Sequence, residues 1–265
     1  FFKIETDACK KYGEKTLVFL QCGSFFETYG YKKNRQFRNK YYTEYSRICD
    51  FCMKEKNLTY KGYDVWMIGF PDYCLEKYAS KMTSHGFTVI IWTQADDPTK
   101  IRALHSVCSP GTDFNNTTNN ITNYSMCIWI KKNKSILLNK APEIICGMSA
   151  IDILTGDTHI FEYREKYFHN PTTFDEIERF YSSYNPNEIL VIYETTEQEI
   201  KDILQFSQIN CDKIHLINVN DTENSHHKLV KNCDNQTFIK EQLNQFYEIM
   251  EYHVFCQTHR LDEHQ

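Results

Sequence analysis

Two phenylalanines and a glutamate, Phe25, Phe26 and Glu27, follow a dense apolar run and Gly23. A run of that length and composition is typical of a β-strand, and a glycine after it is typical of a turn. An exposed aromatic ring beyond the turn could be inserted between base pairs of duplex DNA, at a cost of a few kcal/mol of unstacking. The cost is lower where pairing is already poor, so such a ring would act as a wedge that senses weak pairs.

The glutamate adds a second chemical feature to this segment. If the chain is extended here, Glu27 points to the same side as Phe25, because side chains two residues apart share a face. A carboxylate beside DNA is repelled by the phosphates, so its presence requires a hydrogen-bond donor on a base. The spacing by itself favours a plainer interpretation, in which Phe25 and Phe26 belong to the core and Glu27 caps a helix.

The segment that follows, residues 31–42, is both basic and aromatic. Its candidate phosphate contacts are Lys32, Lys33, Arg35 and Arg38. The composition fits a solvated surface at least as well as it fits a nucleic-acid contact.

Length, composition and charge indicate two modules with different partners. The chain has 265 residues, 41% of them hydrophobic, which fits two folded domains and excludes wholesale disorder. No apolar run is long enough to cross a membrane, so no membrane partner is expected. The net charge of −5 hides an asymmetry: residues 1–115 carry 17 basic and 13 acidic side chains, and residues 126–265 carry 13 and 22. The chain begins with Phe1 and lacks a signal-peptide pattern, so it is expected to come from inside a longer gene product.

The cysteines favour a reducing, intracellular compartment. There are 11 of them, an odd number without a repeated spacing, which does not suit a secreted disulfide framework. Cys49 and Cys52 form one Cys-Xaa-Xaa-Cys pair, but a structural zinc site needs further ligands at suitable spacing. We therefore interpret these two residues as buried thiols near a helix, and no metal site is predicted.

Hydrophobic periodicity predicts a mixed α/β unit in the first part of the chain. Helices are predicted at 5–12, 43–54 and 71–84, and strands at 16–22, 63–69, 87–93 and 101–108. Residues 113–123, almost all Asn, Thr and Asp, read as a linker.

The second part combines antiparallel strands with alternating helices and strands. Strands are predicted at 125–131, 144–154, 157–163, 188–193 and 214–219, and a last helix at 238–255. Capping boxes that begin at Thr173 and Thr196 predict helices to about 184 and 206. This order predicts a ribonuclease-H-like layered sheet.

Residues 15–29 resemble the opening of MutS, a family of DNA mismatch repair proteins. In that family a strand leads into a Gly-Asp-Phe-Tyr-Glu type motif, whose Phe-Xaa-Glu core reads the mismatch. Further segments resemble the family in the same order along the chain: 67–71, 73–82, 91–98, 107–112, 147–156 and 184–190. Ser24 departs from the usual Asp, which leaves Phe-Xaa-Glu intact but puts the hydrogen bonding of the turn in doubt.

The resemblance implies a mismatch-recognition domain at 1–112, the linker at 113–123 and a connector domain of ribonuclease-H-like fold at 124–265. Phe25 would stack on the mispaired base and Glu27 would hydrogen-bond to it. The implied partner is double-stranded DNA with mismatches or small loops, and the protein would be localised with DNA. The stretch itself would be no enzyme and hold no cofactor. ATP and magnesium, a homodimer and a MutL-like partner are implied for the full-length protein, from a divergent viral or organellar branch.

Two other functions are open at this point. A ribonuclease-H-like sheet with Asp152 on its central strand resembles two-metal nucleases, which need several convergent carboxylates. Glu162 would be a second ligand, and Asp175 or Asp202 a third, although these last two lie in predicted helix starts, where acids are common. The remaining alternative is a protein-interaction module without a role in DNA binding.

Overall fold

A computed structural model of the chain shows two compact units, Phe1–Ile121 and Thr122–Gln265. The structure describes residues 1–33, 36–38, 40–95, 101–113, 122–133, 142–223, 226–233 and 235–261. Most of the segment predicted as a linker therefore lies outside the described residues. Both units contain helices and a mixed sheet, so the predicted mixed α/β class is confirmed.

The elements of the first unit are α1 (Phe2–Tyr12), β1 (Thr16–Cys22), β2 (Phe25–Lys33), β3 (Gln36–Phe37), α2 (Lys40–Cys49), β4 (Lys54–Tyr60), β5 (Tyr63–Pro71), α3 (Leu75–Thr83, after a 3₁₀ turn at Asp72–Cys74), β6 (Thr88–Gln94) and β7 (Arg102–Cys108). Its sheet has the strand order β4-β5-β2-β1-β6-β7, and the short β3 pairs with β2. Only β1 and β6 are parallel among the pairs in the described part of this sheet.

Both faces of the central strand β1 are buried, because helices cover the sheet on two sides. Leu17 and Phe19 are fully buried on the face that packs against α2 and α3. Val18 points to the opposite face, where it packs with Ala8 of α1. A strand covered on both faces has an almost continuous apolar sequence, which explains why its bounds were predicted correctly.

The helix predicted at 43–54 is wrong in its second half. Helix α2 ends at Cys49, and Asp50 follows with a positive φ of 56°, which cannot continue a right-handed helix. The chain then enters β4, a mostly exposed edge strand that pairs with β5 through its backbone. The interpretation of two buried thiols is also half wrong. Cys49 is buried and its Sγ donates to Met82 Sδ at 3.5 Å, but Cys52 is exposed.

The elements of the second unit are β8 (Tyr124–Asn133), β9 (Glu143–Asp152), β10 (Thr158–Lys166), α4 (Asp175–Tyr184, after a 3₁₀ turn at Pro171–Phe174), β11 (Glu188–Tyr193), α5 (Glu197–Phe206), β12 (Ile214–Asn218), α6 (His227–Val230), α7 (Gln236–Leu243) and α8 (Ile249–Thr258). Its sheet has the strand order β10-β9-β8-β11-β12, and among these described strands only β9 runs antiparallel to the others. This arrangement fits the predicted ribonuclease-H-like sheet. No helix in the described part of the chain is long and apolar enough to cross a membrane.

Two helix predictions in this unit need correction. The single helix predicted at 238–255 is split into α7 and α8, because the backbone N–H of Glu248 donates to the Glu251 carboxylate (3.3 Å) and begins a new helix. The cap predicted at Thr173 is wrong, because α4 begins after Phe174 without a side-chain cap, and the preceding 3₁₀ turn is capped by Asn170, whose side chain accepts from the Thr173 backbone N–H. The cap at Thr196 is confirmed, since its hydroxyl accepts from the backbone N–H at the third helical position.

Candidate functional site

A two-residue turn, Gly23 and Ser24, connects β1 to β2 directly before Phe25. Gly23 has a φ of 63°, a conformation that costs a glycine little. A glycine with positive φ at the first turn position fits a type II′ hairpin, whose twist matches that of the paired strands. The turn thus holds the first residue of β2, Phe25, at the very end of the hairpin.

Hydrogen bonds from three separate segments fix this turn. The Gly23 N–H donates to Gln94 Oε1 of β6 (3.4 Å), and Gln21 Nε2 donates to the Gly23 carbonyl oxygen (3.3 Å). The Asp72 N–H donates to the carbonyl oxygen of Ser24 (2.9 Å). These hydrogen bonds do not depend on the replacement of the usual Asp by Ser24, because they use the turn's backbone and not the side chain at position 24.

The two phenylalanines of the motif lie in opposite environments. Phe26 is 3% exposed and packs in the core, with its ring stacked on that of Phe70 at a centroid distance of 6.0 Å. Phe25 is 49% exposed and points to the other face of β2. The core interpretation is therefore right for Phe26 and wrong for Phe25. It is also wrong for Glu27, which lies within β2 and caps no helix.

Glu27 shares the face of Phe25, as the spacing predicts for an extended segment. Its carboxylate Oε2 accepts a hydrogen bond from the Tyr29 hydroxyl and lies 3.4 Å from Lys56 Nζ of β4. The Glu27 side chain is 15% exposed. Its partner across the ladder is Gly69 of β5, which has no side chain to cover the carboxylate. A flat aromatic ring and an oriented acceptor thus lie side by side at one end of the sheet.

Tyr29 and Lys56 were not predicted from the sequence as parts of this site. Tyr29 lies two residues beyond Glu27 on the same strand, so the alternation that joined Phe25 to Glu27 could have included it. Lys56 has no usable signal in the sequence, because it lies on β4, where the predicted helix 43–54 ends and no further element is predicted before residue 63.

Of the four basic residues that were candidate phosphate contacts, the two whose side chains the structure describes, Lys32 and Arg38, do not join Phe25 and Glu27. Lys32 points to the opposite face of β2, with Nζ 3.2 Å from the centroid of the Trp66 ring. Arg38 donates from Nη2 to the Tyr63 hydroxyl (3.1 Å). Arg35 and the side chain of Lys33 lie outside the described residues, so the phosphate contacts stay a prediction.

The carboxylates proposed for a nuclease site do not converge. Asp152 ends β9, whereas Glu162 of β10 pairs with Gly147, five residues earlier on β9 and about 16 Å away along the strand. Asp202 of α5 is paired with His169 at 3.4 Å. Within the described ranges, no group of three or more His, Cys, Asp or Glu residues is placed to hold a metal ion.

Asp152 instead closes a turn. Its Oδ1 accepts from the backbone N–H groups of Asn123 (2.9 Å) and Leu154 (3.1 Å), and its Oδ2 accepts from the Thr155 hydroxyl (2.8 Å). Burial opposes ionisation of Asp152, but these hydrogen bonds outweigh it and lower its pKa below the ordinary value. The carboxylate has the environment of a structural residue.

We expect Asp152→Ala to lower the free energy of unfolding by about 1–3 kcal/mol at pH 7, because the buried N–H group of Asn123 loses its acceptor, as do the less buried N–H group of Leu154 and the Thr155 hydroxyl. The ionised carboxylate stabilises the fold above its unfolded pKa of about 4, and this contribution is lost as pH falls through the lower folded pKa. The difference between variant and parent, measured by urea unfolding, should therefore shrink below pH 4. Asp212→Ala, at an exposed aspartate, is the control. A pH-independent difference would contradict this account.

Comparison with known proteins identifies the first unit. Residues 7–117 match the family model described as MutS domain I. A mutS homolog of Acanthamoeba polyphaga mimivirus, named as a DNA mismatch repair protein, is 28% identical over 263 aligned positions, which cover 94% of this chain and 23% of that protein. The DNA mismatch repair protein MutS of Bacteroides thetaiotaomicron is 27% identical over 189 positions, 69% of this chain and 19% of that protein.

The MutS of Fusobacterium nucleatum is 32% identical over 117 positions, 41% of this chain and 12% of that protein. The first unit is therefore an α/β domain of the MutS domain I type. Over most of its length the chain is similar, at low identity, to DNA mismatch repair proteins of the MutS type, as a divergent relative. It spans about a quarter or less of the length of these relatives.

Proposed function

We propose that this chain is the mismatch-recognition part of a MutS-like DNA mismatch repair protein, and that it inserts Phe25 at mispaired or unpaired bases in duplex DNA. The observation that carries the proposal is the position of Phe25, half-exposed on a fixed turn while its neighbour Phe26 fills the core. Because the turn is already ordered, little conformational entropy is lost when the ring enters the duplex. The unstacking cost, a few kcal/mol, is smallest at a mispaired step, and that difference is the source of selectivity.

Glu27 is proposed to hydrogen-bond to the base against which Phe25 stacks. A carboxylate beside DNA is repelled by the phosphates, and this repulsion is unfavourable unless a base offers the carboxylate a hydrogen-bond donor. A matched pair keeps its Watson–Crick donors occupied, whereas a mispaired base exposes one, so the pair of side chains reads both weak stacking and a free donor.

Phosphate contacts would position the duplex without reading its sequence. Among the candidates whose side chains the structure describes, Arg38 has an exposed guanidinium group. Lys33 and Arg35 are proposed as further phosphate contacts. Lys32 is a weaker candidate, because its ammonium group is stacked on Trp66.

The second unit is proposed to be the connector domain at 124–265, joined through the segment 113–123 to a recognition domain at 1–112. Its excess of acidic residues suits contact with a protein better than contact with DNA, and a MutL-like protein is the proposed partner. In the full-length protein we propose a homodimer that uses ATP and magnesium outside this stretch. The site of action is wherever the cell or virus keeps its DNA, in a reducing compartment.

Competition binding tests the proposal directly. The chain is titrated against a fluorescent duplex with one G·T mismatch, and matched duplex of the same sequence is the competitor, at low salt. We expect the mismatched duplex to bind at least several-fold more tightly. Equal affinities for the two duplexes would contradict the proposed function.

A further inference from the structure

In the described part of the chain, the hydrogen-bond and ion-pair contacts of the Glu27 carboxylate all fall on one of its two oxygens. The Tyr29 hydroxyl and the Lys56 ammonium both contact Oε2. Within the part of the chain that the structure describes, no protein donor is assigned to Oε1. A carboxylate fixed at one oxygen keeps the other in a defined direction, which is what recognition of a base edge by a single hydrogen bond requires.

Tyr29 is itself held in place. The edge of its ring meets the ring of Phe1 at a centroid distance of 5.0 Å, and its hydroxyl lies 3.9 Å from Cys22 Sγ. Burial, followed by the hydrogen bond to Glu27, raises the pKa of the Tyr29 hydroxyl well above its ordinary value. The hydroxyl thus stays protonated at neutral pH and acts as a donor toward the carboxylate.

We propose that Tyr29 is a positioning residue for mismatch recognition: it holds Glu27 by Oε2 and so leaves Oε1 oriented for the base against which Phe25 stacks. This inference rests on the proposed function. Lys56 assists by offsetting the charge of the carboxylate, which lowers its repulsion from the DNA phosphates. Without the hydroxyl, Glu27 could rotate, and the entropy of that rotation would have to be lost on binding.

The variant Tyr29→Phe removes the hydroxyl and keeps the ring contact with Phe1. We expect the ratio of affinities for G·T and matched duplexes to fall about three- to tenfold, as for the loss of one hydrogen bond. The affinity for matched duplex and the thermal midpoint of unfolding should not change. A purely structural role would lower the midpoint or weaken both duplexes equally, and either result would overturn the inference.

Tyr31→Phe is the matched control. Tyr31 lies on the same strand and the same face, but about 13 Å from Glu27 along the strand, so its hydroxyl should be dispensable. A double-mutant cycle with Glu27→Ala supplies a second readout: once the carboxylate is gone, Tyr29→Phe should have no further effect on the ratio. An undiminished effect in that background would show that Tyr29 acts by another route.

The parent chain and its Phe25→Ala and Tyr29→Phe variants distinguish a failure of the proposed function from a failure of the inference about Tyr29. If the parent chain has no preference, or if Phe25→Ala keeps it, the proposed function fails and this inference fails with it. If Phe25→Ala loses the preference while Tyr29→Phe keeps it in full, only the positioning role of Tyr29 is refuted.

Discussion

Replacement of Phe25 by alanine is expected to abolish the preference of the chain for a mismatched duplex. Stacking of a base on an aromatic ring contributes about 1–3 kcal/mol, so the ratio of affinities should fall roughly five- to hundredfold, to near one. Because the ring is half-exposed and outside the core clusters, the free energy of unfolding should stay within about 0.5 kcal/mol of the parent. Fluorescence anisotropy with both duplexes and urea unfolding measure the two quantities.

Phe168→Ala is a closely matched control for this variant. Phe168 has the same chemistry and a similar exposure, 54% against 49% for Phe25, but it belongs to the other compact unit. Its replacement should leave the ratio unchanged. A Phe25→Ala protein that still discriminates as the parent does would show that another residue is the wedge. An equal loss in both variants would indicate a general effect of removing exposed aromatic surface.

Replacement of Gly30 by alanine is expected to cause a large loss of stability. A Cβ atom built at Gly30 would lie 2.5–2.8 Å from three ring atoms of Tyr42, whose side chain is fully buried between α2 and the sheet. The Tyr42 ring and β2 cannot both keep their positions. Overpacking of this kind lowers the free energy of unfolding by about 1–3 kcal/mol or more. Urea unfolding of the parent and the variant should show this difference. A variant as stable as the parent would mean that Tyr42 can move at little cost.

Gly69→Ala is the control, since Gly69 lies on the neighbouring strand. The closest atoms to a Cβ there, Glu27 Cγ and the Phe26 carbonyl oxygen, are 3.5 Å away, an ordinary van der Waals distance. The two substitutions add the same methyl group to the same sheet, so a difference between them reports the clash with Tyr42. We expect Gly69→Ala to remain within about 0.5 kcal/mol of the parent.

The parts of the fold that the sequence could predict are those where burial decides the residue types. The bounds of β1 and β11 were predicted correctly, because both are central strands with dense apolar runs. The edge strand β4 was missed for the opposite reason. Its residues are mostly polar and exposed, and backbone pairing with β5, which leaves no hydrophobic pattern, holds it in the sheet.

The candidate site also contains features that the sequence could predict and features that it could not. Alternation along an extended chain was enough to place Phe25 and Glu27 on one face. It could not decide which of Phe25 and Phe26 is buried, since that depends on Phe70, more than 40 positions further on. Lys56 reaches Glu27 across β5, so its role follows from the order of strands in the sheet and from nothing in its own neighbourhood.

The anchoring of the turn by Gln94 has a consequence for biosynthesis. The hairpin around Gly23 is local, but the glutamine that fixes it lies 71 positions later, on the strand that pairs in parallel with β1. At about 5–20 residues per second, a ribosome needs roughly 4–14 s to supply that strand. During this interval the nascent chain has its wedge residue but not the full set of bonds that orders the turn. We therefore expect Phe25 to be mobile early in synthesis and to acquire its fixed position only when the long-range parallel pair closes.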